Sequence, residues 1–163
     1  MRLSWIAMVM AVGVAGCSTR PAATLPQTPA QREAQIEVAA QAVNGGSFES
    51  AERLLAPYLY RDDAGELRFR SLGVSSQAEK KAIDTVALML WDTGRDATLQ
   101  SFAKRYLDGY ERDVMLCRLA ERNAVYEKAY NCWNDLGDVD RARRTVRTAV
   151  SYTHLTLPTT PYV

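Results

Sequence analysis

The feature that most constrains this chain is a succession of short apolar stripes at helical spacing, four of them cut off by a glycine. Ile36, Ala39, Ala40 and Val43 fall at i, i+3, i+4 and i+7 and stop at Asn44-Gly45-Gly46. Ala51, Leu54, Leu55, Tyr58 and Leu59 form a second face, with Pro57 inside it as a kink or an early end. Ile83, Val86, Ala87, Leu90 and Trp91 give the cleanest stripe, closed by Gly94, and Leu99, Phe102, Ala103, Tyr106 and Leu107 another, closed by Gly109. Tyr110–Arg122 and Val125–Leu136 follow, the second closed by Gly137, and Val139, Ala142, Val146 and Ala149 mark the last. Helices that stop at a glycine and restart within a residue or two must fold back on one another. The expectation is therefore an all-α domain of seven helices in stacked antiparallel hairpins over 32–150; the alternative is an irregular helical bundle.

Ser47 and Ser76 are placed to cap helices, Ser76 with Glu79 completing an S-x-x-E box. Between the second and third stripes, Arg61–Ser75 is polar, contains Gly65 and Gly73, and alternates Leu67 and Phe69 with charges, so a short hairpin is expected there. A connection this long is uncommon and sometimes functional.

The first residues set the compartment. Arg2 precedes an uncharged run, Leu3–Gly16, that ends in small residues, the make-up of a secretory signal peptide over 1–16. That core is too short to span a bilayer, which needs about 20 residues. Val14-Ala15-Gly16-Cys17 resembles the lipobox of bacterial lipoproteins. The resemblance implies cleavage before Cys17 and acylation of that cysteine, and with Ser18 rather than Asp next to it, placement at the outer membrane facing the periplasm. Residues 17–31, with prolines at 21, 26 and 29, are expected to form an extended tether.

With Cys17 carrying lipid, Cys117 and Cys132 remain, and in an exported protein such a pair is expected as a disulfide. Two buried free thiols are the alternative. Twenty Lys+Arg against nineteen Asp+Glu leave net charge near zero, which gives no basic stripe for nucleic acid. The one histidine, His154, sits in 151–163, a Thr/Pro-rich stretch that breaks with the Arg/Ala-rich helix before it. That stretch resembles a translated sequencing adapter and is expected to be a disordered tail, so His154 is given no catalytic role. Without an imidazole there is no Ser or Cys triad and no zinc-spaced His/Cys cluster. No cofactor or small-molecule substrate is expected.

Gly46-Ser47-Phe48-Glu49-Ser50-Ala51 and Gly137-Asp138-Val139-Asp140-Arg141-Ala142 share a pattern of glycine, small or acidic residue, apolar residue, acid, any residue, alanine. It resembles the turn between the two helices of a tetratricopeptide repeat, and Ala149 falls where that family places a second alanine. At Gly94 the turn pattern is missing, with Asp96 and Leu99 in the apolar and alanine positions. The resemblance implies stacked hairpins with insertions and a surface for proteins or peptides.

The function expected is that of a non-catalytic, lipid-anchored interaction module of the cell envelope, a scaffold or assembly lipoprotein, with Tyr60, Arg105, Tyr110 and Arg112 as candidate contacts. Two alternatives are a lipoprotein linking membrane to peptidoglycan, and a cell-wall enzyme. The enzyme would need a carboxylate pair or an activated nucleophile in a cleft; Asp62, Asp63 and Glu66 are the only carboxylate candidates, in a segment where Asp and Gly far more often serve a turn.

Overall fold

The computed structural model describes residues 28–70 and 72–156, with only the backbone of 152–156. The signal segment, Cys17 and residues 157–163 lie outside the described residues, as does the side chain of His154. Seven helices are present among the described residues: α1 Pro29–Asn44, α2 Phe48–Leu55, α3 Ser76–Asp92, α4 Asp96–Tyr106, α5 Gly109–Arg122, α6 Tyr126–Asp135 and α7 Val139–Thr156. A two-stranded sheet, β1 Leu59–Arg61 and β2 Leu67–Phe69, is inserted between α2 and α3. The fold is all-α. Packing runs along the chain: α1 holds α2 and α3, α3 holds α4, α4 holds α5, α5 holds α6 and α6 holds α7. None of these helices is long and apolar enough to cross a membrane.

The first helix begins earlier than the tether reading allows. Pro29 occupies the first turn, where its missing N–H costs nothing. Thr28 Oγ1 accepts from the Gln31 N–H at 3.3 Å and Gln31 Oε1 accepts from the Thr28 N–H at 3.2 Å. A proline counted as a helix breaker thus opens the helix, and the segment expected as tether through residue 31 is helical from Pro29. The third helix is capped by Ser75, not Ser76. The Ser75 N–H and hydroxyl both donate to Glu33 Oε1 of α1, at 3.0 and 2.7 Å, which fixes Ser75 as the last extended residue. Its oxygen then accepts from the Ala78 N–H. At the other end, α7 runs six residues past Val150, into the stretch expected to be disordered, and is helical through Thr156.

Four helix–helix turns share one geometry. Gly46, Gly94, Ala124 and Gly137 sit at φ 73°, 68°, 56° and 75°. In each, the following residue's N–H donates back five residues: Ser47 to Ala42, Arg95 to Leu90, Val125 to Ala120 and Asp138 to Trp133, at 2.7 to 3.0 Å. The left-handed residue itself donates three residues back, to Val43, Trp91, Glu121 and Asn134. This paired bonding satisfies the last carbonyls of a helix while reversing the chain. The turn at Gly94 therefore has the same backbone as those at Gly46 and Gly137, although its sequence lacks their pattern. The two turns that carry the pattern join α1 to α2 and α6 to α7, opposite phases of a two-helix repeat.

The main core gathers Ile36, Leu55, Tyr58, Leu72, Val86, Leu90, Leu99, Phe102 and Leu119 from α1 through α5, all buried. Each such side chain contributes about 1.5–3 kcal/mol by leaving water. Tyr58 is fully buried after a single 3-10 turn, Ala56–Tyr58, where Pro57 ends the second helix. Its hydroxyl donates to Gln35 Oε1 at 3.0 Å, and Gln35 in turn donates to the Leu54 carbonyl at 2.7 Å. A smaller core at the other end holds Cys117, Trp133 and Ala142. There Cys117 and Cys132 form a disulfide between α5 and α6, with Cα atoms 5.4 Å apart.

Candidate interaction surface

The hairpin is the part of the molecule least predictable as helix, and its turn is built by Asp62. One carboxylate oxygen accepts the N–H groups of Ala64 and Glu66 at 3.1 and 2.9 Å. The other accepts from Arg68 at 2.6 Å. Burial alone would raise the Asp62 pKa, but these donors and the Arg68 charge hold it below the ordinary carboxylate range. Glu66 pairs with the same guanidinium at 2.6 Å. Asp62 and Glu66 therefore meet across Arg68, in a turn-forming arrangement, and the register Leu59↔Phe69, Tyr60↔Arg68, Arg61↔Leu67 follows from it. The sheet is fastened to α4 by the Phe69 N–H, which donates to the Tyr106 hydroxyl at 3.0 Å, and by Phe69, Phe102 and Tyr106 packed with centroids 4.8–5.7 Å apart.

The four candidate contact residues stand on three elements. Tyr60, 41% exposed on β1, has the Arg70 guanidinium over its ring at 5.3 Å and borders a recess of about 230 Å³ with Glu52, Arg61 and Arg95. Arg105 is exposed on α4 and borders a different recess, of about 500 Å³, with Glu66, Gln100 and Lys104. Tyr110 stands out on α5 at 67% exposure. Arg112, two residues on, has its Nε donating to Asp113 at 2.9 Å, and that bond with the charge of Asp113 raises its pKa. Neither recess brings two of the four together.

A third recess, of about 540 Å³, escaped sequence reasoning. It lies between the start of α3 and the α4–α5 connection, over Ile83, Tyr106 and Leu107. Glu79, Asp84, Asp108 and Glu111 line its wall with Lys80. Lys80 Nζ lies 2.6 Å from Glu111 and 3.6 Å from Asp84. Burial raises the Asp84 pKa, against the pull of Lys80. The two pairs, Glu79 with Asp84 and Asp108 with Glu111, are too far apart in sequence for any motif to join them; the fold brings the start of α5 to Lys80 of α3.

Three of the ion pairs that remain link separate helices or their turns. Glu37 of α1 meets Lys81 of α3, and Glu52 of α2 meets Arg95 at 2.8 Å. Both carboxyls are held below their ordinary pKa by the bond to the cation. Arg122 stacks over Trp91 at 3.8 Å, donates to the Trp91 carbonyl at 2.8 Å and pairs with Asp96, so one side chain ties the α5–α6 turn to the α3–α4 turn. Asn123 adds a donor to Asp96 at 3.0 Å. Arg141 stacks over Trp133 at 4.6 Å and pairs with Asp138 at 3.3 Å.

The class these observations define is an all-α stack of antiparallel helices carrying a hairpin insert. No family model, curated protein or solved structure matches the chain.

Proposed function

We propose that this is a lipid-anchored protein of the bacterial cell envelope, probing its surroundings by binding proteins or peptides and carrying out no chemistry itself. The observation that carries the reading is the junction of two features in one chain: a short apolar leader ending at Cys17, and a helical domain stapled by Cys117–Cys132. A disulfide persists where the leader would deliver it, outside the reducing cytosol. A stack built from nearest-neighbour helix contacts supports the binding part, since such stacks offer long side surfaces without needing a closed cleft. Tyr60 and Tyr110, both exposed aromatics, are the contacts we assign first, with Arg105 and Arg112 as charged neighbours in sequence.

The test uses the full chain in a bacterium that exports it. Cys17→Ala is expected to move the protein from the membrane to the soluble fraction; unchanged fractionation removes the lipid anchor. Photo-crosslinking residues at positions 60 and 110 are expected to give discrete, reproducible adducts with envelope proteins. Adducts with peptidoglycan alone would transfer the protein to the wall-linking class.

A further inference from the structure

The last helix carries two different faces beside each other. Ala142 and Thr145 are buried, and the Thr145 hydroxyl donates to Glu121 of α5 at 2.7 Å. A quarter turn around the same helix, Val139 and Val146 are 46% and 45% exposed, and Val150 extends their line at i, i+7 and i+11. The ridge is about 16 Å long at the helical rise of about 1.5 Å per residue. Arg143 and Arg147, one turn apart, stand along its edge, with Arg144 beyond them, all exposed. Arg143 makes only a loose surface pair with Asp140 at 3.9 Å, and Arg144 and Arg147 have no ion pair among the described residues.

An apolar ridge whose cationic edge is only partly neutralised, by Asp140, asks for an occupant with apolar and acidic residues side by side. Residues 1–27 and 157–163 contain no Asp or Glu, so neither segment matches that edge. A second copy would lay the same arginines against each other, and like charges opposed in an isologous contact repel. A bilayer surface is disfavoured because the apolar residues are short valines, whereas interfacial helices insert Trp, Phe or Leu. We infer that the Val139–Val146 ridge of α7, edged by Arg143 and Arg147, docks an amphipathic helix with an acidic border from a partner protein. This deepens the binding reading above and rests on it. It adds a site distinct from the residues at 60, 105, 110 and 112, and the chemistry of what binds there.

The experiment titrates the full chain, in detergent micelles, against a labelled synthetic helical peptide with leucine at i, i+3, i+4 and i+7 and glutamate on the flanks. Saturable binding is expected by fluorescence anisotropy. Arg143→Glu with Arg147→Glu should weaken it about tenfold or more, as should replacing the peptide's glutamates by glutamine. Val146→Asp should weaken it comparably, while Arg143→Lys with Arg147→Lys keeps most of the affinity. Circular dichroism and an intact disulfide certify each variant as folded. Affinity indifferent to these substitutions overturns the inference. So does a dimer in sedimentation that the arginine reversals dissolve. So, too, does arginine-dependent binding of the Cys17→Ala chain to phosphatidylglycerol vesicles with no peptide binding. Loss of this site while crosslinks at 60 and 110 persist would sink the inference alone and leave the broader reading standing.

Discussion

Replacing Ala124 by glycine is expected to stabilise this protein. Ala124 is the one non-glycine residue at positive φ among the described residues, at 56°, in a turn whose three counterparts all carry glycine there. Left-handed backbone places an L-residue's Cβ against the following carbonyl, at a cost of about 1–2 kcal/mol. Glycine escapes that cost but loses more freedom on folding, returning about 0.5–1 kcal/mol. The net gain for Ala124→Gly is thus about 0.5–1 kcal/mol, a rise of about 2–5 °C in midpoint for a domain of this size. Little packing is lost, because Ala124 is exposed. The reciprocal variant isolates the same effect: a Cβ built on Gly94 meets no atom within 4 Å, so Gly94→Ala should cost about 1 kcal/mol through backbone conformation alone. Urea unfolding followed by circular dichroism measures both. A neutral or destabilising Ala124→Gly together with a harmless Gly94→Ala would refute the shared turn geometry. The strain at Ala124 is tolerated because its neighbours are over-determined: Arg122 and Asn123 are both tied to Asp96, and Arg122 also to Trp91.

Reducing Cys117–Cys132, or replacing both cysteines by alanine, should lower stability by about 3 kcal/mol, the chain-entropy value for a loop of 15 residues, measured as the shift in urea midpoint with and without reductant; an unshifted midpoint would show the staple to be idle. Tyr106→Phe removes the acceptor for the Phe69 N–H and should cost about 1 kcal/mol, with faster amide exchange at Phe69 and neighbouring hairpin positions; unchanged exchange there would contradict the anchoring of the sheet to α4. Stability should also fall on acidification. Glu33, held down by the Ser75 N–H and hydroxyl, Glu37 by Lys81, Glu52 by Arg95 and Asp62 by its turn donors all have folded pKa values below the ordinary ones. Their contribution is complete above the unfolded carboxylate range and is lost as pH drops through the lowered folded values, while Asp84, raised by burial, works in the opposite sense. A urea midpoint that stays level or climbs as the solution is acidified through that range would contradict the assignment.

Sequence pattern was most informative where one helix face is apolar and a glycine follows it. The α3 stripe shows this: Val86, Ala87 and Leu90 are buried as its spacing requires, and Gly94 adopts the left-handed turn. It was least informative where a residue type has two opposite uses. Pro29 breaks a helix interior but opens a helix at its first turn, and Thr28 with Gln31 decided for the second. Ser75 and Ser76 are chemically alike, and only Glu33, 42 residues away, selects between them. The turn at Ala124 carries no glycine to mark its left-handed residue, although its backbone repeats the other three.

What the sequence determined by itself is the local grammar: where helices run, where they reverse, and which face each must bury. Those follow from side-chain periodicity and backbone sterics, which act over a few residues. Tertiary structure alone decided which charges meet. Asp84 and Glu111 at Lys80, the Arg122 clamp between two turns, and the exposed valines beside the α7 arginines are products of helices returning against one another. Their separation along the chain leaves no periodic trace, because contacts between distant residues depend on where the stack places each helix.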